Sequence, residues 1–168
     1  MRIDTARLAL TELSDADAGF IRGLLNEPSF LRYIGDRGVR TVEDAVRYIQ
    51  DGPVAMYARH GYGLLRVARK SDGAPIGICG VLKRDALPEP DLGFSLLPAY
   101  WSQGYAFEAA DAVMRDARAR LGLGRVLAIT SPDNEPSIRL LGKLAFRFEC
   151  MTRLQPDAGE VRLFASEP

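Results

Sequence analysis

The segment that joins an apolar strand-like run to a long helix has the residue types needed to bind an anion. It reads "YWSQGYAFEAA", residues 100–110, and places glycine and small residues where a helix begins. Gly104 can adopt backbone conformations that other residues avoid. The first amide N–H groups of a helix have no partner within it, and the helix dipole adds positive potential there. These features indicate a site for phosphate oxygens that needs neither lysine nor arginine.

Two polar residues stand at the start of a second predicted helix, within "TSPDNEPSIRLLGKLAF". Asn134 and Ser137 follow Gly104 by thirty and thirty-three residues, and Lys143 lies near the helix end. Such side chains can bind a ligand, but asparagine and serine are also common at helix starts for structural reasons. A glycine turn before a helix is often only a turn, so each segment alone is a weak signal.

Taken together, the two segments resemble the acyl-coenzyme A site of the GNAT superfamily of N-acetyltransferases. The match is closest to the branch of the Rim-type ribosomal-protein N-terminal acetyltransferases, whose pattern is "PEYWGKGYATEA" followed by "N-x-x-S-x-x-x-x-x-K-x-G-F". The stretches "TARLALTELSDADAGFIRGLLNE" and "VEDAVRYI" are similar to the N-terminal helical region of that branch. The resemblance therefore covers nearly the whole chain and implies one acyltransferase domain over residues 1–168, with acetyl-coenzyme A as co-substrate.

The resemblance also implies a role for each candidate binding residue. The backbone at Leu96 and Leu97 would hydrogen-bond the pantetheine arm and the thioester. Asn134 and Ser137 would hold the pantetheine or its sulfur, and Lys143 would reach the nucleotide phosphates. The pyrophosphate would rest on the backbone amides at the start of the helix, from Ser102, Gln103, Gly104, Tyr105, Ala106 and Phe107. Trp101 and Tyr105 would pack as walls of the same site.

Three positions depart from the family pattern. Trp101 stands where the wider superfamily has glutamine or arginine, and Ser102 replaces a glycine. Neither change matters much where backbone amides do the binding. Ala145 replaces the glycine before the last phenylalanine of the motif, and it fits without strain only if its φ angle is negative.

Acetyl transfer to an amine requires a proton acceptor and stabilisation of the charge that develops on the carbonyl oxygen. Asp91 is the first candidate base because it begins the strand "DLGFSLL" beside the expected thioester, and Glu89 is the second. The alternative is that both acids belong to a solvated loop. Many GNAT enzymes have a tyrosine general acid where this chain has Leu141, so Ser137 would protonate or hydrogen-bond the departing sulfur.

Other charged residues allow more than one interpretation. His60 is the only histidine, and it either lines the acceptor cleft or lies on the surface. Arg32, Arg37 and Arg59 either attract an acidic acceptor or form a solvated face. Because cysteine and histidine do not cluster in the sequence, we expect no metal site.

The composition is typical of a soluble globular domain. The chain has 168 residues, of which 47% are hydrophobic and 26% charged. Its 22 lysine and arginine residues balance 22 aspartate and glutamate residues, so no overall charge favours nucleic acid or an anionic membrane. The sequence begins without an apolar signal region and contains no long apolar run. We therefore expect a cytoplasmic protein with neither nucleic acid nor a membrane as partner.

The elements that must position these residues follow from the hydrophobic period. Alternation predicts a first strand in "RLALTEL", and helical spacing predicts helices that end near Leu25 and Gly52. Three alternating runs after Gly63 predict an antiparallel meander, and "RVLAITS" is typical of a strand buried on both faces. The predicted fold is α+β, with a mostly antiparallel sheet of six to seven strands, helices on both faces, and the order β-α-α-β-β-β-α-β-α-β-β.

The resemblance to the GNAT superfamily implies an N-acetyltransferase that moves an acetyl group from acetyl-coenzyme A to a primary amine in a ternary complex. The acceptor would be a protein N-terminus or a small amine. The alternative is a catalytically silent acyl-coenzyme A-binding or scaffold domain, which the missing tyrosine favours. A P-loop or Rossmann domain is disfavoured because neither glycine motif is present. Similar enzymes commonly dimerise, so a homodimer is one of the oligomeric states that the sequence allows.

Overall fold

The strands of this protein, described over residues 1–168 in a computed structural model, form one sheet in the order β1-β2-β3-β4-β5-β6-β8-β7. The strands are β1 Arg2–Asp4, β2 Leu8–Glu12, β3 Leu64–Arg69, β4 Pro75–Leu82, β5 Asp91–Leu96, β6 Val126–Thr130, β7 Arg147–Thr152 and β8 Val161–Ser166. The α-helices are α1 Ala18–Leu25, α2 Pro28–Tyr33, α3 Val42–Ile49, α4 Ala55–His60, α5 Tyr105–Ala119 and α6 Glu135–Lys143.

The predicted α+β fold with a mostly antiparallel sheet is confirmed, because only β5 and β6 pair in parallel. The sheet has eight strands, one more than the upper predicted number. The extra strand is β1, whose three residues pair with β2. Three residues are too few to show an alternating pattern in the sequence.

The helix predicted to stop at Gly52 continues further. After α3 the chain forms a π-helical turn over Gln50–Val54 and then α4, which ends at Gly61 with a φ of 75°. The prediction was wrong because Gly52 stays in helical conformation, whereas Gly61 takes the left-handed conformation that ends a helix. Pro53 lies inside the π turn, whose wider hydrogen-bond spacing is one way for a helix to pass a residue that has no N–H.

The two faces of the sheet are covered by different helices. The long helix α5 packs on one face, in a core that includes Leu92 and Leu96 of β5. Helices α1 to α3 pack on the other face, around Ile78 of β4. Because side chains alternate along a strand, Asp91, Gly93 and Ser95 face the side of α1 to α3. A Cβ atom built on Gly93 would meet side chains of Leu64 and Leu82, which confirms that orientation.

Strands β5 and β6 diverge along their length. They share one register pair, Asp91 with Leu127, and the Leu127 amide also donates to the Pro90 carbonyl at 2.9 Å. By contrast, β4 and β5 pair continuously from Leu82–Asp91 to Gly77–Leu96. The sheet is therefore split by a wedge that opens between the carboxyl ends of β5 and β6.

Helix α6 ends in a Schellman motif that needs a left-handed residue. The amide of Phe146 donates to the Leu141 carbonyl at 2.9 Å, and that of Ala145 donates to the Gly142 carbonyl at 3.1 Å. Ala145 has a φ of 65°, so the negative φ that would make this alanine harmless is not observed. Its Cβ makes this conformation unfavourable compared with glycine.

Substitution Ala145→Gly is expected to stabilise the protein by about 0.5–1 kcal/mol, because the relief of left-handed strain exceeds the added entropy of the unfolded chain. Urea unfolding measures the change. The matched control is Ala112→Gly in the interior of α5, at a position that is not fully buried, where glycine should cost about 1 kcal/mol. A loss of stability in both variants would contradict the strain at Ala145.

Candidate functional site

The start of α5 carries a row of unsatisfied backbone donors. Six consecutive amides, Ser102–Phe107, donate no hydrogen bond within the chain. Ser102 and Gly104 both have positive φ angles, 60° and 81°. Left-handed residues in such a loop turn successive N–H groups towards one point and form a concave anion-binding surface. The predicted site at this segment therefore has the backbone geometry that an anion requires, and we call it the amide loop.

Arg7 braces the amide loop from the other end of the chain, and sequence reasoning did not identify it. Its Nη1 donates to the Gln103 carbonyl at 3.0 Å, and its guanidinium lies 4.3 Å from the centre of the Tyr105 ring. Its Nε and backbone amide donate to the carboxylate of Glu108, at 2.7 and 2.8 Å. Together with the Thr5 hydroxyl, these bonds lower the pKa of Glu108, although partial burial opposes the shift. Arg7 thus neutralises the one acid at this helix start.

The backbone at Leu96 and Leu97 is partly engaged within the chain. The Leu97 amide donates to the Ile76 carbonyl at 2.8 Å, so that amide is not free to bind a thioester. The indole N–H of Trp101 donates to the Leu96 carbonyl at 2.9 Å, and the Tyr100 amide donates to the Leu97 carbonyl at 3.0 Å. Each carbonyl keeps one lone pair. Trp101 therefore ties the amide loop to the end of β5.

Polar groups from β6 and α6 gather at the open end of the wedge. Thr130 ends β6, and its hydroxyl is buried without a hydrogen-bond partner. A buried polar group without a partner is costly, so this hydroxyl has an open valence at the end of β6. Asn134 caps α6 and accepts from the Ser137 amide at 3.4 Å, which brings these two predicted residues together. The Ser137 hydroxyl is half-buried and makes no hydrogen bond within the chain.

Lys143 and Leu141, two other residues of α6, lie away from Asn134 and Ser137. Lys143 is the last residue of the helix, exposed and without an ion pair. A helix of nine residues separates the two ends by about 12 Å, so Lys143 does not lie with Asn134. Leu141 has no exposed surface, which shows that the position of the missing tyrosine faces the core.

Helix α2 is tied to the loop that follows β6. The Ser131 hydroxyl donates to the Tyr33 carbonyl at 2.8 Å, and Arg32 forms an ion pair with Asp133 at 3.1 Å. These bonds hold α2 beside the end of β6, on the face opposite α5. A second molecule that enters from this side would meet α2 as one wall.

Asp91 lies at the closed end of the wedge, away from the residues just described. It is fully buried, and the Nε atom of Arg84 donates to its two oxygens at 3.2 and 3.0 Å. Burial raises the pKa of Asp91, while the charges of Arg84 and Lys83 oppose that shift. Five residues of extended strand, about 16 Å, separate it from Leu96. This position argues against the predicted role of Asp91 as base, and its burial contradicts the alternative of a solvated loop.

The other two predicted titratable groups also lie apart from Ser137. Glu89 is half-buried and faces Arg125, with 3.8 Å between the charged atoms. His60 is exposed and stacks on Tyr62, with 5.4 Å between ring centres. The strand that follows Tyr62 pairs Leu64 with Gly80, near the closed end of the wedge.

No group of three or more histidine, cysteine, aspartate or glutamate side chains could hold a metal ion. None of the helices is both long and apolar enough to span a bilayer.

The fold and site together combine a sheet that is split between two parallel strands with a helix start whose amides are free. Residues 7–147 match the family described as the acetyltransferase (GNAT) domain. The chain belongs to the GNAT acetyltransferase family. The predicted family and the predicted class of enzyme are thereby confirmed.

Individual proteins show the same relationship. The chain is 29% identical over 153 residues to the uncharacterized N-acetyltransferase YoaA of Bacillus subtilis strain 168, covering 90% of this chain and 85% of that protein. A crystal structure of an acetyltransferase from Agrobacterium tumefaciens C58 has a TM-score of 0.83 and 24% identity, covering 100% of this chain and 95% of that one. RimL, a ribosomal-protein acetyltransferase solved in complex with coenzyme A, has a TM-score of 0.82 and 16% identity, covering 99% and 98%. The two structures share the fold of this chain.

Proposed function

We propose that this protein transfers an acetyl group from acetyl-coenzyme A to a primary amine. The observation that carries the proposal is the row of six unsatisfied amides beside the wedge, where the Thr130 hydroxyl also lacks a partner. RimL, which has the same fold, was solved with coenzyme A bound and acts on a ribosomal protein. Those properties support the same co-substrate here and favour a protein N-terminus over a small amine as acceptor.

In this proposal the amide loop cradles the pyrophosphate, and Arg7 offsets the negative charge of Glu108 beside it. The pantetheine runs into the wedge, where the Thr130 hydroxyl and the Asn134 amide group supply hydrogen bonds. The Ser137 hydroxyl meets the sulfur and donates to it as the thiolate leaves. Free backbone groups near Leu96 hold the thioester. These roles need no side-chain nucleophile.

The acceptor amine attacks the thioester directly while both substrates are bound. Its proton passes to water that reaches the open end of the wedge, because Asp91 is buried in an ion pair at the other end. The C–S bond breaks, and the departing thiolate takes up a proton from the Ser137 hydroxyl, which recovers one from solvent. Holding the two reactants together can supply about 7–11 kcal/mol of the barrier reduction.

Acetyl-coenzyme A is expected to raise the melting temperature of the protein. At one hundred times its dissociation constant, a ligand that binds only the folded form stabilises it by about 2.7 kcal/mol. For a domain of this size that corresponds to a shift of about 5–10 °C. Pantetheine, which lacks the pyrophosphate, is the control and should give a much smaller shift. A melting temperature that acetyl-coenzyme A leaves unchanged would end the proposal.

Release of free thiol over a panel of peptides and small amines then tests the reaction itself. The protein with a peptide acceptor is expected to release thiol above background. Ser137→Ala should lower kcat by about 10-fold or more, as expected for loss of a general acid, without changing the thermal shift. Binding without thiol release from any amine would support the silent acyl-coenzyme A-binding domain instead.

A further inference from the structure

Arg7 is held in place by both its backbone and its side chain. It lies immediately before β2, where its carbonyl accepts from the Lys70 amide at 2.8 Å and its own amide donates to one carboxylate oxygen of Glu108 at 2.8 Å. Its Nε atom donates to the other oxygen of Glu108 at 2.7 Å. The Thr5 hydroxyl also donates to this carboxylate, at 2.6 Å. The guanidinium group of Arg7 therefore has a fixed position and a fixed orientation.

That guanidinium group lies against one particular peptide of the amide loop. Its Nη1 donates to the Gln103 carbonyl at 3.0 Å, and its centre lies 4.3 Å from the centre of the Tyr105 ring. Its Nη2 lies 3.3 Å from the position that a Cβ atom on Gly104 would occupy. The carbonyls of the two residues before Gln103 accept no hydrogen bond within the chain. Arg7 therefore holds the peptide that joins Gln103 to Gly104.

The orientation of this peptide decides which of its groups faces a bound anion. In a trans peptide the carbonyl and the N–H group point in opposite directions. Because Arg7 binds the Gln103 carbonyl from one side, the Gly104 N–H points to the other side, where it meets no acceptor within the chain. The same peptide rotated by half a turn would present its carbonyl oxygen to the anion and repel it.

Gly104 makes such a rotation possible. Glycine adopts positive and negative φ angles about equally well, so the glycine alone does not favour the observed φ of 81°. The bond from Arg7 does favour it, because hydrogen bonds from charged donors are roughly twice as strong as neutral ones. The same bond polarises the peptide and strengthens its N–H group as a donor.

We propose that Arg7 is a positioning residue that holds the Gln103–Gly104 peptide in the orientation that binds the pyrophosphate. Arg7 lies on the carbonyl side of this peptide, so it acts through the peptide and does not touch the ligand. The inference rests on the proposed function, which places the pyrophosphate on the amide loop. Arg7 thereby determines the specificity for coenzyme A thioesters over thioesters that lack a pyrophosphate.

Two thioester donors separate this role from a general loss of structure. Arg7→Met is expected to raise the KM for acetyl-coenzyme A at least about tenfold, the effect of losing a hydrogen bond from a charged group. The kcat should not change, because the peptide lies away from the reacting atoms. The KM for acetyl-pantetheine, which lacks the pyrophosphate, should not change either. An equal rise in KM for the two donors would overturn the inference.

Arg120→Met is the matched control for this variant. Arg120 forms an ion pair with Asp116 near the other end of α5, and its side chain is 43% exposed, compared with 45% for Arg7. Its loss removes the same charge from the same helix and should change the KM of neither donor. A rise in the KM for acetyl-coenzyme A equal to that of Arg7→Met would overturn the inference, because overall charge would then explain both.

A double variant distinguishes the orientation of the peptide from neutralisation of Glu108. In Arg7→Met the carboxylate loses its cation and would repel an anion at the helix start. Arg7→Met with Glu108→Gln removes both charges but leaves the Gln103 carbonyl unbound. It should still bind coenzyme A about fivefold more weakly than the parent protein, the effect of about one hydrogen bond. Glu108→Gln alone should bind at least as tightly as the parent. Full recovery in the double variant would overturn the inference.

Calorimetry with coenzyme A measures these affinities without turnover. The parent protein is expected to bind at least about tenfold more tightly than Arg7→Met, with the double variant between them. Equal affinities of the parent and Arg7→Met would overturn the inference and leave the proposed function standing. A parent protein that does not bind coenzyme A would end the proposed function and this inference together.

Discussion

Substitution Gly104→Val is expected to weaken acetyl-coenzyme A binding by at least about 100-fold, or roughly 2.8 kcal/mol. Gly104 has a φ of 81°, which a β-branched residue tolerates poorly, and it lies in the middle of the free amides. A Cβ atom there would already approach Nη2 of Arg7 to 3.3 Å. A valine side chain would therefore displace the loop, the arginine or the pyrophosphate.

Gly122→Val is the matched control, because it imposes the same backbone strain elsewhere. Gly122 has a φ of 63° just beyond the other end of α5, and a Cβ atom there would meet nothing within 4 Å. Both variants should lose stability, but only the change at Gly104 should lose affinity in calorimetry below the melting temperature. Similar affinities in the two variants would show that the amide loop does not bind the pyrophosphate.

The contrast between Gly104 and Arg7 shows which part of the site could be predicted from the sequence. A glycine before a helix is a local signal, and local backbone rules give the free amides directly. Arg7 lies about one hundred residues away and meets the loop only because β2 packs near α5. One clue was present: Glu108 at an anion-binding helix start repels the ligand unless a cation neutralises it.

The burial of Asp91 could not be predicted from the polarity of its sequence neighbours. The start of a strand at this residue was predicted, but the sequence "PEPD" resembles a solvated loop. Burial comes from the parallel pairing with β6, which the alternating pattern of β5 does not encode. The divergence of β5 and β6 likewise depends on the order of the strands in the sheet, which the pattern of a single strand does not show. The helix end predicted at Gly52 is wrong for another reason, because a π turn has no simple sequence period.

The ion pair between Asp91 and Arg84 should make the protein sensitive to loss of the arginine alone. Arg84→Gln is expected to cost about 3–5 kcal/mol at neutral pH, because it leaves a buried carboxylate without its counter-charge. The double variant Arg84→Met with Asp91→Leu removes both charges and should lie much closer to the parent protein. Urea unfolding measures the difference in the free energy of unfolding, provided that its dependence on urea concentration is the same in all variants.

The pH dependence of that cost identifies its cause. Burial raises the pKa of Asp91 above its ordinary value of 3.8, so the folded protein holds this proton more tightly than the unfolded chain. The contribution of Asp91 to stability therefore falls as pH rises from 3.8 through its folded pKa. Loss of Arg84 raises that pKa further, so the deficit of Arg84→Gln should shrink as the pH is lowered from 7 towards 5, whereas that of the double variant should not change. A deficit of Arg84→Gln that is independent of pH would mean that lost packing, and not the unpaired carboxylate, destabilises the protein.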